Sequence, residues 1–427
     1  MSKSIAIVGA GAKAAAIAAR AAVLRDLLPG GGVPRIYVFE KEHAGAAWSG
    51  HGLHSSGFLS LCTPGEKDVG FPYDEGRLFG KLKAPLSPAL FGRFSWSAYQ
   101  VARGAMADWV DRGRDHPLHR QWAKYLQWVF DQAEQKVTQA TVTRVVRAGT
   151  GWAVHHTEPG GQMRVSRVDG VVLTGTGSPN RVNEADGVPK GKVFDSETVW
   201  ANRGLLQQLD VGTIAVAGDG GGAGAIVGWL AGQHAETLVE IACINRLGTL
   251  FPRGDGHAER RWFSDPTDWP SLSEDDRRKL VSRTEAGVVS MRLKSVIDKS
   301  TSVRYFRGKA ALIRWDPDEG KLAVDLEYDG DLSTLEADYF ISAIGYDRWS
   351  CLNLVDEPHV ALVRDSDDPD KRETVERKLR SDLSLPDIYD LPPGLHVPSL
   401  AGVAHGPGMP NLGCLGLVAK AILQTYL

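Results

Sequence analysis

Cysteine is scarce in this chain, and none of it is paired in sequence. Cys62, Cys243, Cys351 and Cys414 form no CxxC or CxxH spacing, which argues against a disulfide framework, a zinc or other metal site and a dithiol redox centre. A reducing cytoplasm suits such a composition. Positive charge is not in excess either. Lys and Arg number 49 against 52 Asp and Glu, a net charge of −3, so there is no electrostatic footprint for a polyanion and nucleic acid is not an expected partner. Long apolar runs are also missing. Lys3 followed by Ile5–Leu24 superficially resembles a secretory leader, but Lys13 and Arg20 interrupt it, and nowhere do about 18 apolar residues run without charge or dense glycine. Neither a signal peptide nor a membrane span is expected.

What is present is an ordinary globular composition. Apolar residues make up 43% and charged residues 24% of 427, which excludes disorder and fibrous structure. At roughly 100–200 residues per domain the length predicts two or three domains, each with its own core.

The first fifty residues read as strand, glycine turn and helix. Ser4–Val8 is a short apolar run, Gly9-Ala-Gly11-Ala-Lys-Ala14 follows directly, and Ala14–Leu28 is alanine-rich. Gly9 permits the tight turn, Gly11 lets backbone approach a pyrophosphate, and Ala14 in the third slot allows close packing of helix on strand. The helix N-terminus supplies amide donors to the phosphates. After the glycine loop Pro29–Val33, Arg35–Phe39 predicts a second strand ending at Glu40. A carboxylate there accepts from a ribose 2′-hydroxyl and repels a 2′-phosphate, so this site suits FAD or NAD and not NADP. The alternative is a glycine turn that serves only packing.

A second unit of the same kind lies in mid-chain. Thr213–Ala217 runs into Gly218-Asp-Gly220-Gly-Gly222-Ala223-Gly224 and then the apolar, helix-like Ala225–Leu230; Val239–Ile244 predicts the next strand, ending at Asn245-Arg246. An arginine at that place suits the 2′-phosphate of NADPH; a surface arginine without ligand is the alternative. Five glycines in seven residues form a floppy anion nest, or a degenerate site. No other internal repeat is present.

Two such units define a two-dinucleotide flavoprotein. The fold class expected is α/β with two Rossmann-like dinucleotide-binding domains. Tyr339–Ile344, ending in Ala343-Ile-Gly345-Tyr346, is expected to return the chain to the flavin domain. That gives a discontinuous FAD-binding domain of residues 1–205 and 335–427, an inserted NADPH-binding domain of residues 206–334, and a substrate site at their interface. Ser273–Arg283, expected to be helical, and Ser366–Arg380 are charge runs expected to be solvated faces and not sites.

Eight segments in order carry a resemblance across nearly the whole chain: GAGAKA at Gly9–Ala14, TPGEKDVGFPY at Thr63–Tyr73, FSWSAY at Phe94–Tyr99, WVDRGR at Trp109–Arg114, HRQWAKYLQWV at His119–Val129, FSDPTDW at Phe263–Trp269, AIGY at Ala343–Tyr346 and GPGMPNLGCLG at Gly406–Gly416. The chain resembles the flavin-dependent lysine/ornithine N-monooxygenases, most closely the mycobactin-type L-lysine N6-oxygenases of actinobacterial siderophore pathways.

The resemblance implies a cytoplasmic oxidoreductase in which NADPH reduces FAD, oxygen adds at flavin C4a, and a primary side-chain amine attacks the distal oxygen of the hydroperoxyflavin. The flavin carries this chemistry, so no catalytic protein residue and no metal is required. An ammonium near pKa 10.4 is not nucleophilic, so the site must hold the amine neutral by desolvation and positioning. Trp48, Phe58, Phe71 and Trp96 are candidates for an apolar enclosure, with core packing as the alternative for each.

By the same resemblance Lys67 meets the substrate's carboxylate or the flavin edge. Asn411, Leu412 and Gly413 close over the isoalloxazine, with Asn411 also within reach of substrate, and Lys41 and Trp48 join Gly9, Gly11, Ala14 and Glu40 around FAD. Gly218, Gly220, Ala223 and Arg246 are the NADPH set. Two departures stand out. Arg260 occupies the place of the family's substrate-binding asparagine, which points to a carboxylate held differently or to an acylated or carrier-bound amino acid. Gly221 and Gly222 replace the usual Gln/Glu-Ser/Thr pair, which leaves NADPH versus NADH preference open. Also open are a flavin reductase or a monooxygenase acting on carbon or sulfur, a nucleotide-binding regulator without turnover, and a homo-oligomeric state.

Overall fold

The protein is described by a computed structural model over residues 3–28, 30–51, 54–73, 83–284 and 287–427. Pro29 of the expected glycine loop lies outside the described residues. Two five-stranded parallel sheets organise the chain. The first runs in the order Leu395–His396, Gly170–Leu173, Ser4–Val8, Arg35–Glu40 and Val137–Gln139. The second runs Val193–Asp195, Tyr339–Ser342, Val211–Ala217, Leu238–Asn245 and Val303–Arg307. The central strands are near-continuous apolar runs because parallel strands are covered on both faces. The helix Ala12–Leu27 is buried from Ala12 to Leu24. Alanine suits that position, since a helix enclosed all round needs small side chains between sheet and the C-terminal helix Leu415–Gln424. Two four-stranded mixed sheets, each antiparallel but for one short parallel edge strand, flank these layers, one built on Thr141–Ala148 and Gly151–Thr157, the other on Lys309–Asp316 and Lys321–Tyr328. Among the described residues no helix is long and apolar enough to cross a membrane.

The expected α/β class with two dinucleotide-type units is what the sheets show, but the division between them falls elsewhere. Tyr339–Ser342 does not return the chain to the first sheet. It pairs in parallel with Val211–Ala217 on one side and Val193–Asp195 on the other, so residues on both sides of the 206–334 interval belong to the second sheet. The crossing between units occurs just outside these strands. There Ser178–Pro179 and Tyr346–Asp347 form a two-stranded antiparallel ribbon, and the Asn180 amide donates to Gly345 O at 2.9 Å. An apolar strand carries no mark of which sheet it joins, and only pairing decides.

The first charge run is helical, as expected of it, and the second is helical too. These helices, Glu274–Thr284 and Pro369–Arg377, face each other across the units. Arg377 lies 3.1 Å from Glu274, and Arg278 pairs with Glu373.

The ribbon depends on Gly177. Its φ is +86°, and a Cβ there would stand 1.8 Å from Asp347 O. Gly177→Ala should therefore combine left-handed strain with a backbone clash and cost roughly 3 kcal/mol or more. Chemical denaturation against wild type checks this; a loss below about 1 kcal/mol would mean that the crossing tolerates displacement.

Candidate functional site

Ser4–Val8 hands the chain to Gly9, whose φ of +96° and whose Cβ position 2.5 Å from Thr174 Oγ1 leave no room for a side chain. Thr174 holds the strand end by donating to Val8 O at 2.7 Å. Gly11 is the N-cap of Ala12–Leu27, with extended backbone, no side-chain cap and no acidic residue in the first turn. The helix's first amides are thus without an intrahelical partner, and the place of a Gly11 Cβ is open, with nothing within 4 Å. Ala14 is fully buried. Glu40 Oε2 accepts from the Ala10 amide at 2.9 Å, and Oε1 accepts from Glu42 N at 3.2 Å, which fixes the carboxylate at the mouth of this nest. Lys41 beside it is exposed. Open amides at a helix N-terminus, an empty Cβ cradle and a fixed carboxylate fit a dinucleotide's pyrophosphate and ribose.

The second nest repeats the arrangement. Gly218 passes so close to Ala343 that a Cβ would stand 2.2 Å from its carbonyl oxygen. Gly220 caps Gly221–Gln233 without a side-chain bond, and the Cβ places of Gly221 and Gly222 are open. Ala223 is buried. The glycine run is not a floppy loop, since residues 221–224 form the helix's first turn. Gly224 and Gly228 instead admit the helix Met291–Ile297, for their Cβ places lie 2.5 Å from Val289 and Leu293 side-chain atoms. Arg246 reaches this mouth, but its guanidinium lies 3.0 Å from Asp219 Oδ2 within the nest.

Between the units lies a cationic cluster. Asp68 is buried and anchors the turn that carries Lys67: it accepts from Tyr73 Oη at 2.6 Å, Trp96 N at 2.9 Å and Gly70 N at 3.1 Å. Burial pushes its carboxyl up to about 7, against those hydrogen bonds. Burial also holds the Lys67 ammonium below the usual lysine value; Cys414 and Cys62 oppose this, while Arg260 and Arg253 add to it. Among the described residues Lys67 has no ion-pair partner and lies 5.5 Å over the Phe71 ring. Arg253 and Arg260 share Asp255 Oδ1, at 3.3 and 3.6 Å, and Arg253 donates to Cys62 O at 3.3 Å. Arg253 went unnoticed in sequence because it sits in no motif, only beside the strand Phe251–Pro252.

The C-terminal loop closes the same region. Cys414 donates to Phe263 O at 3.0 Å, and a Cβ on Gly413 would stand 2.4 Å from that oxygen. Asn411 accepts from Gly413 N at 2.7 Å and donates to Pro407 O at 2.5 Å. One donor and one lone pair of its amide remain for any other partner. Leu412 is half-buried. Of the four candidate aromatics, Trp96 is a core residue, 1% exposed and pressed against Gly65. Phe58 is 63% exposed beneath Arg120. Trp48 meets His119 edge-on at 4.8 Å.

Comparison with known proteins places this geometry. The sequence model of the family described as L-lysine 6-monooxygenase/L-ornithine 5-monooxygenase matches residues 87–348. The chain is 32% identical to the L-lysine N6-monooxygenase MbtG of Mycobacterium tuberculosis over 99% of its own length and 95% of that protein's. It is similar to the lysine monooxygenase NbtG of Nocardia farcinica, described with an unprecedented NADPH domain conformation, at 29% identity and a TM-score of 0.81 over 99% of both chains. An ornithine N-hydroxylase from Kutzneria, KtzI, solved with reduced FAD, NADP+ and L-ornithine, shares the fold at a TM-score of 0.76 and 16% identity over 100% of this chain and 99% of that one.

His119, under Trp48 and 2.7 Å from Ser55 Oγ, is pushed by burial down to about 4. The folded state therefore prefers the neutral ring, and stability present above about pH 6.5, the unfolded value, should fall as pH drops toward 4. His119→Gln should flatten that part of the denaturation-versus-pH curve; parallel curves for the two proteins would show that the ring titrates normally.

Proposed function

The chain belongs to the L-lysine 6-monooxygenase/L-ornithine 5-monooxygenase family, and from that premise we propose that it N-hydroxylates the terminal primary amine of L-lysine, or of a lysine- or ornithine-like amine, for siderophore or related natural-product biosynthesis. The cofactors are FAD and NADPH, and O2 is the co-substrate. The observation that carries the reading is the opposite charge closing two otherwise alike nests, Glu40 at the first and Arg246 at the second. A carboxylate favours a free ribose 2′-hydroxyl and an arginine a 2′-phosphate. We assign FAD to the unit of the first sheet and NADPH to the inserted unit, which on strand pairing runs from about residue 180 to about residue 345.

Bound FAD, reduced by NADPH, supplies the activated oxygen. The protein's part is to bind and orient. Gly9, Gly11 and Ala14 seat one pyrophosphate, Gly218, Gly220 and Ala223 the other, and Leu412 and Gly413 offer backbone to the flavin ring beside Trp48. Lys67, Arg253 and Arg260 present three cations against one shared carboxylate, which suits the carboxylate head of an amino acid, with Asn411 at the edge of the same region. The depressed Lys67 pKa marks a place that penalises positive charge. Four unpaired thiols support a reducing, cytoplasmic setting.

Two experiments test this. Gly11→Val should leave the fold intact, since its side chain enters open space, yet lose FAD and the yellow colour because that space is the phosphate's. A folded, fully yellow variant would refute the first nest's role. Lys67→Ala should weaken binding of the best amine, from a panel of L-lysine, L-ornithine, Nα-acetyl-lysine and cadaverine, by more than about tenfold. NADPH oxidation should persist with a raised ratio of hydrogen peroxide to hydroxylamine. Wild-type KM and hydroxylamine yield would make Lys67 a bystander, and a product hydroxylated at carbon or sulfur by mass would overturn the reaction class.

A further inference from the structure

The second nest contains an acid where phosphates must come. Asp219 lies between Gly218 and Gly220, and its Oδ2 stands 3.0 Å from the Arg246 guanidinium at the end of Leu238–Asn245. Both side chains reach solvent, with Arg246 73% and Asp219 32% exposed. The neighbouring strand offers Arg307, paired in register with Asn245, but that guanidinium stacks on the Tyr328 ring at 4.0 Å. Asn245 itself is spent on the following turn, accepting from Leu247 N and Thr249 N. Arg246 is therefore the cation at the strand end that faces the nest, and it already has an anionic partner.

We propose that Asp219 is a specificity-determining residue for the coenzyme, weakening discrimination in favour of the 2′-phosphate by holding Arg246. This rests on the reading of the second nest as the NADPH site. A 2′-phosphate must share or displace Asp219 to gain the guanidinium, whereas a coenzyme with a free 2′-hydroxyl makes no such demand. Repulsion between Asp219 and the pyrophosphate is common to both coenzymes and cancels in their ratio. The pairing is exposed, so the effect is screened by salt.

The test is calorimetric titration of the FAD-loaded protein with NADP+ and NAD+, which differ only at the 2′-position and leave oxidised flavin unreacted. Asp219→Asn should raise the affinity ratio of NADP+ to NAD+ about three- to tenfold at low salt, and less at high salt. Arg246→Ala should bring the ratio toward one, and Asp219→Asn added to it should restore little. An unchanged ratio in Asp219→Asn, with both coenzymes still binding, overturns the proposal. So does an equal rise with and without Arg246, because Asp219 would then act by direct repulsion. If neither coenzyme binds the wild-type protein, the coenzyme reading of the second nest falls, an outcome distinct from an unchanged ratio.

Discussion

The chain must leave the first unit and come back at one place, and the rest of the architecture depends on how that double crossing is built. Ser178–Pro179 and Tyr346–Asp347 run antiparallel, Ser350 Oγ accepts from Ser178 N and donates to Asp347 O, and Gly177 lies against that same carbonyl. Fixing both crossings side by side brings the inserted unit's residues 253–269 over the first unit's residues 62–73 and 406–416. The contacts that follow are specific: Arg253 to Cys62 O, Cys414 to Phe263 O, and Trp269 Nε1 to Val403 O at 2.9 Å. The cationic cluster exists only because of this juxtaposition, since neither unit alone contributes Lys67, Arg253 and Arg260.

The two nests share a backbone solution and differ in side-chain charge. Each ends a buried parallel strand, turns on glycine and starts a helix with no cap of its own. A capping side chain would satisfy the first-turn amides and remove their use for a phosphate. Glycine at the N-cap therefore leaves a donor set unsatisfied at a place open to solvent. Selectivity is then left to whatever stands at the end of the next strand. Glu40 is immobilised by two backbone amides, while Arg246 is held by a single exposed ion pair.

Much of this was legible in sequence because it is local. Strand, glycine turn and helix follow one another within about thirty residues, so Gly9, Gly11, Gly218 and Gly220 could be placed from spacing, and Glu40 and Arg246 from where the next apolar run ends. Strand partnership is not local. Nothing in Tyr339–Ser342 distinguishes a strand that pairs with Val211–Ala217 from one that joins the first sheet, and the expected boundaries were displaced for that reason. Arg253 was invisible because its role depends on Asp255, Cys62 and Lys67 meeting across the units. Trp96 misled in the opposite way: an aromatic in a family segment reads equally as lining or as core, and only the closeness of Gly65 decides for core.

The neighbours Lys67, half-buried, and Asp68, buried, show how a fold can hold a cation without an ion pair. Without Asp68, the amides of Gly70 and Trp96 and the hydroxyl of Tyr73 would lose an acceptor deep in the structure, and each such loss costs about 1–3 kcal/mol. The carboxylate is thus retained despite a burial penalty large enough to bring its pKa to about 7. Its three bonds go to Tyr73, Trp96 and Gly70 and none to Lys67, so they fix the turn without neutralising the lysine. Had Asp68 paired with Lys67 directly, the pair would be stable and the ammonium unavailable to an anion. Instead the turn is anchored through neutral donors, and the lysine is left in a desolvated place beside two arginines. That arrangement is electrostatically unfavourable by itself, and the carboxylate-binding role proposed for Lys67 rests on it.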